Sequence, residues 1–222
     1  MNPLIKMEEI VELYLSKEYS LYKSKDANGE KIEINFIFES RAKFLEKYLD
    51  YYHSLNNLKS AIIDGCNAQF KIIHLDNIYS VKHTHQEEFV DNEGRLRGVN
   101  NTVLSEMALK LVLKQKQIAT ATSFDDVYQI VKLSKINGFG ELSIYDTAVR
   151  ISAFLELQPT VVFLHAGTTE GVKILEHKKL LPENSSQAKT LQLNNFPVPL
   201  QRLNALQMEN FLCSFKKDLA NI

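Results

Sequence analysis

The chain has 222 residues, 45% apolar and 24% charged, an ordinary globular make-up with enough length to bury a substantial core. Its 26 basic and 27 acidic residues leave a net charge of −1, which argues against a dedicated duplex binder and makes any nucleic-acid contact local, weak or shared with a partner protein. No apolar run approaches the roughly 20 residues that span a bilayer. The opening Met1-Asn2-Pro3-Leu4-Ile5-Lys6-Met7-Glu8-Glu9 turns acidic where a signal peptide needs an apolar segment, so a cytoplasmic protein without membrane contact is expected.

Residues 7–23 carry the spacing of an amphipathic helix with Glu8 and Glu9 near its start, where the helix dipole favours acids. Asp26-Ala27-Asn28-Gly29 marks a turn, and Ile32, Ile34, Phe36 and Phe38 then alternate as in a short strand, without an evident partner. From Ser40 to Ile63, Phe44, Leu45, Tyr48, Leu49, Tyr52, Leu55, Leu58 and Ile62 recur at helical spacing. Residues 64–100 are ambiguous. Phe70–Leu75 suits strand or helix, and the polar stretch from Lys82 to Asn101 reads as a loop with short helical pieces. Val103, Leu104, Met107, Leu111 and Val112 define a helix over 102–117, and Ser123 caps another over 124–135. A glycine turn at 136–141 leads into a helix over 142–157. Pro159 opens another short helix that Gly167 ends, Thr168 or Thr169 caps a helix through Ile174 and Leu175, and residues 182–200 form a proline-containing connector. Asn204-x-x-Gln207 is a capping box that opens a last helix with Leu206, Met208, Phe211, Leu212, Phe215 and Leu219 on one face.

The expected fold is mainly α: one multi-helix domain with a short β segment near 32–38. Residues 1–38 are expected to pack on the main body, 39–181 to form the helical core, and 182–222 to supply the connector and C-terminal helix. Cys66 and Cys213 are isolated and read as small buried hydrophobes.

One local pattern points at a partner class. Ile136-x-Gly138-Phe139-Gly140-x-x-Ser143-Ile144, with a helix on each side, resembles the helix-hairpin-helix motif of DNA repair and replication proteins. That resemblance covers residues 124–157. It implies a turn whose backbone amides meet one phosphate of a DNA or RNA backbone without reading sequence, at Gly138, Phe139, Gly140 and Ser143 with Lys135 beside them. The unpaired amides of a helix N-terminus favour an anion for the same reason. Gly140 is expected in a conformation costly to other residues, with Phe139 packed between the helices. Glu141 opposes the reading by placing a carboxylate next to the phosphate. DNA glycosylases built on this hairpin offer no catalytic residue to carry over: Asp146 lies six residues after Gly140, inside the hairpin helix, and their lyase lysine would fall at Leu142.

Three further clusters bear chemistry. His83 and His85, if extended, point the same way and suit a metal that takes a third ligand from elsewhere, although as a surface loop they need none. His165, Gly167, Thr168 and Thr169 lead into a helix N-terminus and form a second candidate anion site, or else a close helix contact. Asp146 and Arg150 stand at i, i+4 as a helical ion pair. No complete catalytic set and no cofactor motif is present. The reading is therefore a hairpin protein touching nucleic-acid phosphate within a larger assembly. Its alternatives are a protein–protein adaptor or homo-oligomer using the apolar C-terminal helix, and a nucleic-acid-processing or metal-dependent enzyme using His83, His85, His165 and Glu87.

Overall fold

The computed structural model describes residues 2–222. In chain order they form α1 (Pro3–Ser16), β1 (Tyr19–Lys25), β2 (Lys31–Phe38), α2 (Arg41–His53), α3 (Leu58–Asn67), β3 (Gln69–His74), β4 (Asn77–Lys82), β5 (Phe89–Val90) and β6 (Leu96–Arg97). There follow α4 (Asn101–Val112), α5 (Gln115–Ala119), α6 (Phe124–Leu133), α7 (Glu141–Phe154), β7 (Val162–Phe163), α8 (Ala166–His177), β8 (Thr190–Leu191), α9 (Ala205–Ser214) and α10 (Lys216–Ala220). Among the described residues no helix is long and apolar enough to cross a membrane.

The mainly α expectation is corrected. The described residues are 52% helical and 16% strand, with four small antiparallel two-stranded sheets among them, which makes this a mixed α/β fold. The helix expected over 7–23 stops at Ser16, and Tyr19–Lys25 becomes the missing partner of β2. Lys23 disguised that strand. It occupies an inward position, 2% exposed, and its ammonium stands 2.5 Å from Glu87 Oε2, so a cation sits where alternation calls for an apolar side chain. The ambiguous 64–100 segment supplies two more hairpins. Ala68, in the left-handed region at φ 57°, ends α3 and starts β3, whose register with β4 runs from Gln69↔Lys82 to His74↔Asn77. Leu75 and Asp76, at φ 47° and 61°, make the tight two-residue turn that twisted hairpins favour, without the glycine or asparagine that normally announces it.

By contact density the chain divides into two units. One comprises 1–19, 38–45 and 159–222; the other comprises 20–37 and 46–158. In the first, Met7, Val11 and Tyr14 of α1 join Val172, Leu175, Leu203, Met208, Phe211, Leu212 and Leu219 in a single core. Tyr14 meets the Phe211 ring edge-on, with centroids 5.6 Å apart. Phe211 and Leu212, expected to be offered to a partner, are completely buried there. The predicted connector is ordered by short 3-10 turns and β8, and it buries Phe196, Pro199 and Leu200. The capping box of α9 is formed as expected: Asn204 accepts from the Gln207 amide at 2.8 Å, and Gln207 accepts from the Asn204 amide at 3.1 Å.

In the second unit α3 packs on α4 and α7, and α6 packs on α7. Their core includes Ile62, Leu104, Met107, Leu111, Val127, Val131, Ile144, Ala148 and Ile151. Cys66 lies in this core, where burial pushes its thiol up to about 12, so it stays protonated and unreactive near neutral pH. Tyr48 and Tyr52 are also core residues, packed ring edge to ring face rather than presented for stacking on bases.

Candidate functional site

Residues 124–154 form helix, turn and helix. Ser123 caps α6 in a capping box with Asp126, and α6 ends at Leu133. The Phe139 amide then donates to Ile136 O at 3.2 Å, closing the turn, and Phe139 is 1% exposed. The two glycines have different roles, and the strain expected at Gly140 falls at Gly138 instead. Gly138 has φ 84°, a region in which a side chain is strained. Gly140 has φ −76° and ψ 172°, ordinary extended backbone, and a Cβ built there would meet nothing within 4 Å. Gly140 is nevertheless exposed at the N-cap of α7, which has no side-chain cap. Ser143 is buried in the first turn of α7, and Lys135 Nζ lies 3.1 Å from Glu141 Oε1. Gly138→Ala is expected to cost about 1 kcal/mol through the left-handed backbone, whereas Gly140→Ala, without that strain, should cost less, roughly 0.5 kcal/mol, through the poorer N-cap alanine makes. Urea unfolding of the two variants reads the difference directly.

A second constellation lies on α7 and on the segment that follows β4. Asp146 Oδ2 sits 2.9 Å from His85 Nδ1, accepts from Gln86 Nε2 at 2.9 Å, and lies 3.5 Å from Arg150 Nη2. Arg150 is 1% exposed and donates in four directions: from Nε to the Tyr48 hydroxyl, from Nη1 to Gly65 O at 3.0 Å, and from Nη2 to Gln86 Oε1 at 2.7 Å as well as to Asp146. Burial alone would raise the Asp146 carboxyl. The His85 hydrogen bond, together with the neighbouring His85 imidazole, Arg150 guanidinium and His83 imidazole, instead holds it well below the usual carboxylate range. Burial works against the Arg150 charge in the same way, but the Tyr48 and Tyr52 phenols and Asp146 keep it above its ordinary value.

His83 stands beside His85 with ring centroids 4.6 Å apart, and it packs at 5.2 Å on the Tyr48 ring. Ligand atoms of His83, His85 and Asp146 all lie within 4.8 Å of one another. The sequence suggested the two histidines, and Asp146 and Arg150 as an ion pair. It did not bring them together, nor did anything mark Gln86 as the bridge between Arg150 and Asp146. The helical ion pair is in fact one of the longer contacts Arg150 makes; its short bonds reach other elements.

The remaining predicted residues lie apart from this cluster. Glu87 pairs with the buried Lys23. In the other unit, His165 Nε2 stands 3.2 Å from Glu209 Oε1, and the Thr168 hydroxyl donates to the same oxygen at 3.0 Å. A buried carboxylate therefore occupies the donors proposed for an anion. Gly167 and Gly171 have a packing explanation, since a Cβ on either would collide with α9 at Cys213 or Leu212. No protein-family model matches the chain, and no curated protein or solved structure shows significant similarity to it.

Proposed function

We propose that the turn between α6 and α7 holds one phosphate of a nucleic-acid backbone, without sequence preference and as one contact within a larger assembly. Gly140 carries the reading. Neither left-handed backbone nor close packing requires glycine there; it sits at the N-cap of α7, a position that favours glycine over alanine, and it leaves the first amides of the helix without a side-chain cap. Helix N-terminal amides that no side chain caps favour an anion. The near-neutral chain keeps this contact weak when it acts alone.

The Lys135–Glu141 ion pair sets the direction of a charge test. Glu141→Gln removes a like charge next to the proposed phosphate and frees Lys135, so binding at about 50 mM salt should tighten roughly threefold. Gly140→Glu should abolish binding while leaving the fold intact. Fluorescence polarisation with a labelled short duplex and a single strand measures both. Wild-type protein that fails to bind either probe, or affinity that is the same in all three proteins, would refute the proposal.

A further inference from the structure

We infer that His83, His85 and Asp146 form a binding site for a divalent first-row transition metal. The inference is independent of the hairpin's role. Two imidazoles and a carboxylate are a donor set suited to zinc and its neighbours, and the chain brings them together from residues 61 positions apart in sequence. Their ligand atoms already lie within 4.8 Å of one another. Adjacent ligands of a tetrahedral zinc ion are about 3.4 Å apart, so closure requires each pair to approach by about 1.4 Å at most, shared between its two side chains.

The cluster is held from behind. The His83 amide donates to Ala68 O at 2.8 Å, which continues the β3–β4 ladder and anchors the histidine segment. The Gln86 and Glu87 amides both donate to His83 O at 3.1 Å, fixing the turn that carries His85. On the other side, all three contacts to the Asp146 carboxylate fall on Oδ2, from His85, Gln86 and Arg150. The Asp146 side chain is thereby fixed in orientation, the service that outer hydrogen bonds give metal ligands. With only three protein ligands, and His85 34% exposed, the site would keep at least one position for water or substrate, as catalytic rather than structural sites do.

Arg150 sets the expected strength. Its guanidinium balances the Asp146 charge and repels a second cation, so affinity should be in the micromolar range rather than that of a structural zinc site. The test uses the full chain without a histidine tag, titrated with Zn2+ by calorimetry and with Co2+ by visible absorption. One equivalent should bind, with the ligand-field bands of low-coordinate Co2+. His83→Ala and His85→Ala should each weaken binding at least tenfold with unchanged circular dichroism. Asp146→Asn should act likewise; if it unfolds by releasing Arg150, the two histidine variants decide. Absence of binding at about 1 mM metal, or full affinity retained in either histidine variant (adventitious binding at His53, His74, His165 or His177), overturns the inference.

Discussion

Arg150→Met is expected to cost stability on the order of 3–5 kcal/mol. Methionine fills much of the same space, so the loss measures interactions more than cavity. Removing the guanidinium takes a donor from four groups at once: the Tyr48 hydroxyl, the Gly65 carbonyl, the Gln86 amide oxygen and the Asp146 carboxylate, which keeps its His85 and Gln86 contacts but loses the charged partner that burial makes it need. Breaking a buried pair from one side costs far more than the pair contributes, because the remaining partner keeps its desolvation penalty. Urea unfolding should show the loss, and hydrogen exchange should place it in α3 and α7, the helices that Arg150 joins. A loss below about 1 kcal/mol would mean that water readily replaces the guanidinium and that the network is not what holds these helices together.

The same network predicts an acid limb. Asp146 titrates well below the usual range in the folded chain, so its stabilisation is complete above the unfolded value of about 3.9 and is lost as pH falls below it. Asp146→Asn should flatten stability against pH below about 4 and leave the neutral region parallel to wild type, offset downward. An unchanged acid limb in that variant would assign the acid sensitivity to other carboxylates.

Gly171→Ala is the second large effect, and its sign is set by two opposed terms. Alanine gains about 1 kcal/mol over glycine inside a helix. Against that, its Cβ would lie 2.7 Å from the Leu212 carbonyl oxygen and 3.1 Å from Leu212 Cβ, where the neighbour is backbone and cannot swing aside. Overpacking of this kind costs about 1–3 kcal/mol, so α8 must move off α9 and the variant should be less stable, with Gly171→Val worse still. Gly167→Ala is the control. Its clash is mainly with Cys213 Sγ, at 2.5 Å, and a thiol can rotate away. Thermal unfolding should rank the proteins wild type, Gly167→Ala, Gly171→Ala, Gly171→Val from most to least stable. If Gly171→Ala were the more stable of the two alanine variants, α8 and α9 would not be in the tight contact described.

Much of the helical framework was legible because each helix states itself locally. Ser123 with Asp126, and Asn204 with Gln207, cap their helices through neighbours three residues away, and the apolar spacing of α4 and α6 survives any tertiary arrangement. Of the longer strands only β2 was legible, from its alternation; β1 and the β3–β4 hairpin were not, for two separate reasons. Lys23 broke the alternation of β1 by pairing with Glu87, which lies 64 residues on, and Leu75-Asp76 turned a hairpin without glycine or asparagine at its centre. Both are cases in which a tertiary contact or the pull of ladder pairing overrides a local preference.

What the sequence determined by itself, then, is the position of most helices, the caps at Ser123 and Asn204, the strand β2 and a glycine turn at 136–140; the expected single helices over 40–63 and 102–117 are each two, α2 with α3 and α4 with α5. Tertiary structure decided the rest. It reversed the roles of the two hairpin glycines, and it buried the C-terminal aromatics that looked available to a partner. It turned Asp146 from half of a helical ion pair into the meeting point of His85, Gln86 and Arg150. The physical reason is range. Caps and apolar periodicity act over three or four residues, whereas the contacts that define the His83–His85–Asp146 cluster span 60 to 102 residues. They exist only once β4, α3 and α7 have packed.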